Sequence, residues 1–289
     1  MPVLPPEDER FNRHAERIVR ETINAYGRIG HRGSDGRVES TGTATFLNLG
    51  DKKFIVTASH VVDHLMDKSG EAHLYTFNGA DLPRNIENRL SAAREFLIPL
   101  NQTTVRNLGR DLDVAIISAP SDVSQAPGLR WFNGQEHLQA INVLQEDCHS
   151  SEAEFVTLIL GFPRFSREER GDIHAQVASN FQCVAYLRQI IDSGNSSIAP
   201  QLILELDTPN NDNLPDDVPD LARTFVANIQ KFANQGEEPI GGYSGAPVIH
   251  PAVEGPVLLG FVKEASLRLG ARVMATPLHV VLRHLADRG

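Results

Sequence analysis

Residues 54–62 read FIVTASHVV, and this stretch decides how the chain folds. Its first half holds the β-branched and aromatic residues that strands favour, and it leads directly into a turn that presents His60. The preceding residues, Thr41–Leu49, are also rich in strand formers and end at Gly50 and Asp51. Two short runs around a Gly-Asp turn predict a β-hairpin that ends in a histidine.

Short strand-like runs continue through the rest of the chain. They are separated by Gly, Pro, Asn and Asp, the residues that favour turns, and no internal repeat is visible. The runs cover residues 72–77, 114–118, 155–161, parts of 173–191, 201–206, 248–250, 257–262 and 272–275. This pattern predicts a mainly all-β fold, either a sandwich or a barrel.

Two further segments place reactive side chains beside predicted strands. Residues 111–117 read DLDVAII, which puts Asp113 at the start of an apolar strand, with Asp111 as the nearby competitor. Residues 241–248 read GGYSGAPV, so glycines flank Ser244 immediately before a strand. Each pattern is common by itself, but together they favour nucleophilic catalysis by a serine.

The three residue types suit that chemistry. A serine hydroxyl is a weak nucleophile until a base removes its proton, and an imidazole can do so near neutral pH. A carboxylate that accepts a hydrogen bond from Nδ1–H holds the imidazole in one tautomer and stabilises the imidazolium as it forms. Glycines around the serine let backbone N–H groups converge on the developing oxyanion.

These segments resemble the motifs of trypsin-like serine peptidases with the chymotrypsin fold, most of all the bacterial intracellular members. The family motifs Thr-Ala-Ala-His, Asp-Ile-Ala-Leu and Gly-Asp-Ser-Gly-Gly-Pro have counterparts in residues 57–60 (TASH), 113–116 (DVAI) and 242–247 (GYSGAP). Weaker counterparts of other family segments are residues 43–46, 160–163 and 258–262.

The resemblance implies a double β-barrel and a serine-type endopeptidase, a hydrolase that cleaves proteins or peptides through an acyl-enzyme intermediate. It implies that His60 is the general base, Asp113 the orienting acid and Ser244 the nucleophile. It further implies an oxyanion hole formed by the N–H groups of Gly242 and Ser244. This reaction needs no cofactor, and we expect no metal site.

Helical segments are predicted around this β domain. The first is residues 7–26, closed by Gly27; another starts at Asp220, before the serine loop; the last is residues 278–287. We therefore predict an N-terminal helical extension over 1–38 and a peptidase domain over 39–289. Within that domain the expected parts are a first barrel over about 39–130, a second over about 150–277, and a C-terminal helix over 278–289.

The composition limits the function classes. The 289 residues carry a net charge of −10, which argues against a nucleic-acid partner. No apolar run reaches the length of a membrane span, and the N-terminus has no signal-peptide pattern. The two cysteines, Cys148 and Cys183, make a poor disulfide framework. The expected location is the cytoplasm, with no membrane partner.

The expected preference for the substrate's P1 side chain depends on Glu238, which lies six residues before Ser244. The resemblance places that region at the floor of the S1 pocket, where an acid would attract a Lys or Arg side chain at P1. The alternative is a solvated loop glutamate beside Glu237.

Three alternatives to an active endopeptidase stay open at this point. The chain could use this fold as a latent or non-catalytic protein-binding module with a regulatory partner. Three features would support that alternative: Tyr243 and Ala246, which depart from the family motif, and the insertion before the serine. An α/β-hydrolase uses a similar serine motif but the opposite residue order. His60 and His64 are spaced as in some zinc sites, but no glutamate lies between them.

Overall fold

The computed structural model describes residues 17–34, 38–68, 70–77, 93–101, 104–141, 155–162, 181–191, 199–206, 242–252, 254–266 and 272–286. They form two mainly antiparallel β-sheets. The strands are β1 (Tyr26–Arg32), β2 (Val38–Leu49), β3 (Lys52–Ala58), β4 (Glu71–Phe77), β5 (Ala93–Pro99), β6 (Val105–Asn107), β7 (Val114–Ser118), β8 (Phe132–Asn133), β9 (Phe155–Gly161), β10 (Phe181–Ile191), β11 (Gln201–Leu206), β12 (Pro247–Ala252), β13 (Gly255–Ser266) and β14 (Arg272–Pro277).

The first sheet has the strand order β5-β4-β1-β2-β3-β7-β6, with the short β8 pairing parallel to β2. Its two edge strands, β5 and β6, are consecutive in the chain and are joined by residues 100–104 only. Because so short a connection keeps the end of β5 near the start of β6, the sheet curls into a half-barrel around its own core. The second sheet is a closed barrel with the order β10-β11-β14-β13-β12-β9. This mainly β, double-barrel architecture confirms the predicted fold class.

The strands next to the site are buried on both faces. In β3, Ile55 belongs to the core inside the first sheet, whereas Val56 belongs to the core shared with the second barrel. In β7, Ile117 belongs to the core inside the first sheet and Ile116 to the core shared with the second barrel. Successive side chains of a strand point to opposite faces, so both faces need apolar residues. That requirement explains the unbroken apolar runs in these two segments.

The N-terminal boundary was predicted wrongly. Residues 17–22 are helical, but Tyr26, placed at the end of a helix, begins β1, which lies between β2 and β4 in the middle of the first sheet. Gly27 is therefore not a helix stop. A Cβ atom on Gly27 would lie 2.7 Å from the carbonyl oxygen of Tyr75, so the glycine permits close approach of β1 and β4.

Other helices surround the sheets. They are α1 (residues 17–22), α2 (Ser59–Lys68), α3 (Ser121–Ser124), α4 (residues 134–141) and α5 (Leu278–Ala286), the last of which begins where the sequence predicted. The helix predicted from Asp220 lies outside the described residues. Within the described ranges, none of the helices combines the length and the apolar character needed to cross a membrane.

Candidate active site

Two adjacent strands bring His60 and Asp113 together. Strands β3 and β7 pair antiparallel with Ala58 opposite Val114. His60 follows the end of β3 by two residues, and Asp113 immediately precedes β7. Both side chains therefore emerge at the same edge of the first sheet.

Ser244 completes a line of three hydrogen-bonded side chains. The Nδ1 atom of His60 lies 2.7 Å from Oδ2 of Asp113, and its Nε2 atom lies 3.0 Å from Oγ of Ser244. The His60 side chain is 55% exposed, whereas that of Asp113 is 16% exposed. The carboxylate is thus sheltered behind an imidazole that is open to solvent, so the imidazole can exchange a proton with the serine while the carboxylate orients it.

The Asp113 backbone is held in an unusual conformation. Its φ angle is 50°, which makes it the one non-glycine residue with positive φ in the described part of the chain. Its N–H donates to the carbonyl of Gly109 at 3.0 Å, and its carbonyl accepts from the N–H of Ser59 at 3.1 Å. Left-handed backbone costs an L-residue about 1–2 kcal/mol. These bonds hold the turn that aims the carboxylate at His60.

Threonines of the first sheet hold the serine loop. The Thr43 hydroxyl donates to the carbonyl of Gly242 at 2.8 Å, and its backbone N–H donates to the carbonyl of Ser244 at 2.9 Å. The Thr45 hydroxyl donates to the carbonyl of Gly245 at 2.8 Å. The partners are about 200 residues apart in sequence. The position of Ser244 in the second barrel is therefore fixed by β2 of the first sheet.

Gly245 fits where no larger residue would. Its φ angle is +86°, and a Cβ atom would lie 2.3 Å from the carbonyl oxygen of Thr43 and 2.6 Å from Oγ1 of Thr57. Only glycine combines this backbone conformation with such close packing. The glycine after the serine thus lets the loop lie directly on β2 and β3.

Hydrogen bonding and charge raise the pKa of His60. The hydrogen bond to Asp113 has the largest effect, and burial partly opposes it because it disfavours the imidazolium. The negative charges of Asp113, Asp63 and Glu264 raise the pKa further. An imidazole with these neighbours is a stronger base than a free one, which suits it to accept a proton from a hydroxyl group.

Of the remaining predicted site residues, the structure describes Gly242 but not Glu238. Gly242 is buried, with a φ angle of 102°. Among the described residues, no hydrogen bond is donated by the N–H of Gly242 or of Ser244. Glu238, the residue expected at the floor of S1, lies outside the described residues, as does Cys148.

The two departures from the family motif are part of the core. Tyr243 is 1% exposed and Ala246 is fully buried, both in the core cluster of the second barrel. A Cβ atom on Gly161 would lie 2.7 Å from the Tyr243 ring, so that ring packs closely against β9 at Gly161. Tyr243 thus anchors the serine loop, and the buried Ala246 methyl group has no exposed surface with which to crowd a substrate.

Several neighbours of the site had no assigned role in the sequence. Thr43 and Thr45 lie in a segment that resembles a family motif, but only the fold shows that they bind the serine loop. Lys263 donates from Nζ to the carbonyl of Asp111 at 2.7 Å, so the competing aspartate is held through its backbone by the second barrel. No local sequence signal identifies these contacts, because each joins the two barrels.

The histidine pair on α2 shows no sign of a metal site. His64 is exposed, and its ring lies edge-on to His31 with 5.6 Å between the ring centroids. Among the described residues, His, Cys, Asp and Glu side chains form no group of three that could hold a metal ion.

Comparison with known proteins supports the fold. The active form of the Rv3671c protease from M. tuberculosis superposes with a TM-score of 0.51 at 16% identity, over 100% of this chain and 90% of that one. The protease domain of MamO from Magnetospirillum magneticum superposes with a TM-score of 0.48 at 10% identity, over 91% of this chain and 97% of that one. No protein-family model and no curated protein matches the chain by sequence. The superposition on the Rv3671c protease, together with the antiparallel sheet topology, shows that the chain has the trypsin-like protease fold, which also rules out the α/β-hydrolase alternative.

Proposed function

We propose that this protein is a serine endopeptidase in which His60, Asp113 and Ser244 form the catalytic triad. The observation that carries the proposal is the continuous line of hydrogen bonds from Asp113 through His60 to Ser244, at 2.7 Å and 3.0 Å. Ser244 Oγ attacks the scissile carbonyl carbon while His60 Nε2 takes its proton. The imidazolium then protonates the leaving amine, and water hydrolyses the acyl-enzyme by the same steps in reverse.

The N–H groups of Gly242 and Ser244 are the proposed oxyanion hole. The tetrahedral intermediate carries a negative oxygen beside the serine, and donors that are already in place stabilise it without reorganisation. The backbone conformation of Gly242, available to glycine but not readily to other residues, supports this role.

An extended peptide fits beside the serine loop. The N–H of Gly245 donates to the carbonyl of Val262 at 2.8 Å, so β13 runs directly past this loop. Beyond that point, residues 263–266 pair with β14 on one side, and no described strand pairs with the other side. Such an edge can add a peptide as a further strand, which favours a protein or peptide substrate over a small ester.

The first experiment is labelling of the purified protein with a fluorescent fluorophosphonate. Wild type should react and Ser244→Ala should not, since only an activated serine attacks this phosphorus. The Thr57 and Ser59 hydroxyls remain in the variant, which controls for labelling elsewhere at the site. If neither protein is labelled, the catalytic proposal fails and the alternative, a latent or non-catalytic protein-binding module, replaces it. The cytoplasmic location, a regulatory partner and the P1 preference stay predictions.

A further inference from the structure

Asn107 joins the segment that carries His60 to the segment that carries Asp113. It is the last residue of β6 and lies opposite Ala115 of β7. Its Oδ1 atom accepts hydrogen bonds from the Ser59 hydroxyl and from the N–H of Gly109, the latter at 3.3 Å. Its Nδ2 atom donates to Oδ1 of Asp63 at 3.5 Å.

The three partners of Asn107 lie on both sides of the catalytic pair. Ser59 and Asp63 belong to the first turns of α2 and flank His60 in sequence. Gly109 begins the turn that ends at Asp113, since its carbonyl accepts the Asp113 N–H at 3.0 Å. One amide side chain therefore spans the gap between the two segments that must be aligned.

The orientation of the amide follows from its partners. A backbone N–H can only donate, so the oxygen of Asn107 must face Gly109, and the NH₂ group must face the carboxylate of Asp63. The Ser59 side of the contact is sheltered, because Ser59 is 4% exposed. A sheltered hydroxyl that loses its acceptor is costly, so the contact resists slippage of α2 against the turn.

We propose that Asn107 is a positioning residue that sets the alignment of His60 with Asp113. The proposal rests on the proposed function, because the alignment matters for rate only if His60 is the general base. Asn107 makes no described contact with Ser244 or with the edge at residues 263–266. Its removal should therefore affect the chemical step and not substrate binding.

The kinetic test compares Asn107→Ala with Asn101→Ala on a peptide substrate. Asn101 is also exposed and uses its Oδ1 to accept the N–H of Thr104 at 3.0 Å, at the opposite end of β6 from α2. We expect Asn107→Ala to lower kcat about tenfold with KM changed less than about twofold, since small misplacements of catalytic groups slow the reaction. Asn101→Ala should match wild type.

A double variant separates positioning from general destabilisation. Ser59→Ala removes the donor to Asn107, so the loss from Ser59→Ala/Asn107→Ala should be smaller than the product of the single losses. Multiplicative losses, or a fall in melting temperature with unchanged kcat, would overturn the proposal.

A measurement without turnover keeps the two proposals distinguishable. The proton between His60 Nδ1 and Asp113 should give a low-field ¹H NMR resonance. That resonance should shift or broaden in Asn107→Ala and stay in place in Asn101→Ala. Asn107→Asp retains the acceptor and adds a negative charge, so it should raise the pKa of His60. If wild type is not labelled by fluorophosphonate, the proposed function fails, while an unchanged resonance and an unchanged His60 titration would refute the role of Asn107.

Discussion

The Asp113 carboxylate makes two hydrogen bonds with His60: Oδ2 lies 2.7 Å from the ring Nδ1, and Oδ1 accepts the His60 backbone N–H at 3.0 Å. The second bond satisfies one of the N–H groups that the first turn of a helix leaves without an intrahelical acceptor. The same carboxylate thus orients the imidazole and caps the helix that carries it. Catalytic alignment and local stability are coupled through one side chain.

Asp113→Asn tests the orienting role of that carboxylate. The amide can still accept the His60 N–H through its oxygen, so the fold should persist. Its NH₂ group, placed against Nδ1, would favour the imidazole tautomer with the proton on Nε2, which cannot accept the serine proton. We expect kcat to fall about 10⁴-fold, measured with a peptide substrate, at a melting temperature close to that of wild type.

Asp113→Ala is the companion variant, because it removes both hydrogen bonds. It should lose activity and also unfold at a lower temperature, since a lost cap costs about 1 kcal/mol. Equal activity of the Asn variant and wild type would contradict the triad.

The pH profile should reflect the raised pKa of His60. Only neutral imidazole can accept the serine proton, so kcat/KM should rise with pH and reach half its plateau above the ordinary histidine pKa of 6.5. Glu264→Gln removes one of the charges that stabilise the imidazolium, and the midpoint should therefore move to lower pH. The kcat/KM profile from pH 4 to 9 checks this.

Glu254→Gln is the matched control for the charge change. Glu254 is exposed at the turn between β12 and β13 and is not among the groups that shift the His60 pKa. It should leave the midpoint in place. Equal shifts from both variants would mean that net charge, and not the position of Glu264, sets the profile.

Thr43→Val should loosen the serine loop at nearly constant volume. It removes the hydroxyl that donates to the carbonyl of Gly242 and that accepts the Phe162 N–H at 3.3 Å. Buried groups left without partners cost about 1–3 kcal/mol, and urea unfolding should show a loss in this range. The rate of fluorophosphonate labelling should fall as well.

Thr157→Val controls for the lost stability. The Thr157 hydroxyl is also fully buried and donates to the carbonyl of Ala185 at 2.9 Å, between β9 and β10. Thr157→Val should lower the free energy of unfolding about as much as Thr43→Val does, and it should leave the labelling rate unchanged. If both variants slow labelling equally, the Thr43 contact has no special role in placing Ser244.

Acid should destabilise the protein through His137 as well as through its carboxylates. Burial lowers the pKa of His137 to about 4, and its Nδ1 accepts the N–H of Leu258 at 3.3 Å, as a neutral ring does. The unfolded chain takes up the proton near pH 6.5, so stability is full above that pH. It should fall by about 3 kcal/mol between pH 6.5 and 4.

His137→Gln should flatten this part of the stability curve, followed by urea unfolding at each pH. His284→Gln, at the end of α5, is the control and should keep the slope of wild type. Parallel curves for all three proteins would show that His137 does not contribute.

The sequence predicted the parts of the fold that depend on local patterns. The apolar runs of β3 and β7 are continuous because both faces are buried, and the histidine and aspartate beside them stand out for that reason. Strand β1 was missed because YGRIGHR contains two glycines and two arginines, which carry little strand signal. Its place in the middle of a sheet comes from packing, which overrides propensity.

Contacts between segments that are distant in the chain could not be predicted from the sequence. Nothing near Asn107 indicates that it faces Ser59, since their approach depends on how β6 and α2 meet at the sheet edge. The same holds for Thr43, whose partners belong to the other barrel. A pattern can nominate reactive side chains, but the groups that hold them in place become visible only once the strands are paired.

The threonine contacts to the serine loop also bear on the order of events during synthesis. The ribosome makes β2 about 200 residues before the loop around Ser244, yet Thr43 and Thr45 of β2 hold that loop in place. A nascent chain with a finished first sheet has a histidine and an aspartate but no nucleophile. If the protein is the protease proposed above, it cannot cut before the segment around Ser244 has been made, which protects the earlier segments from the chain's own activity during synthesis.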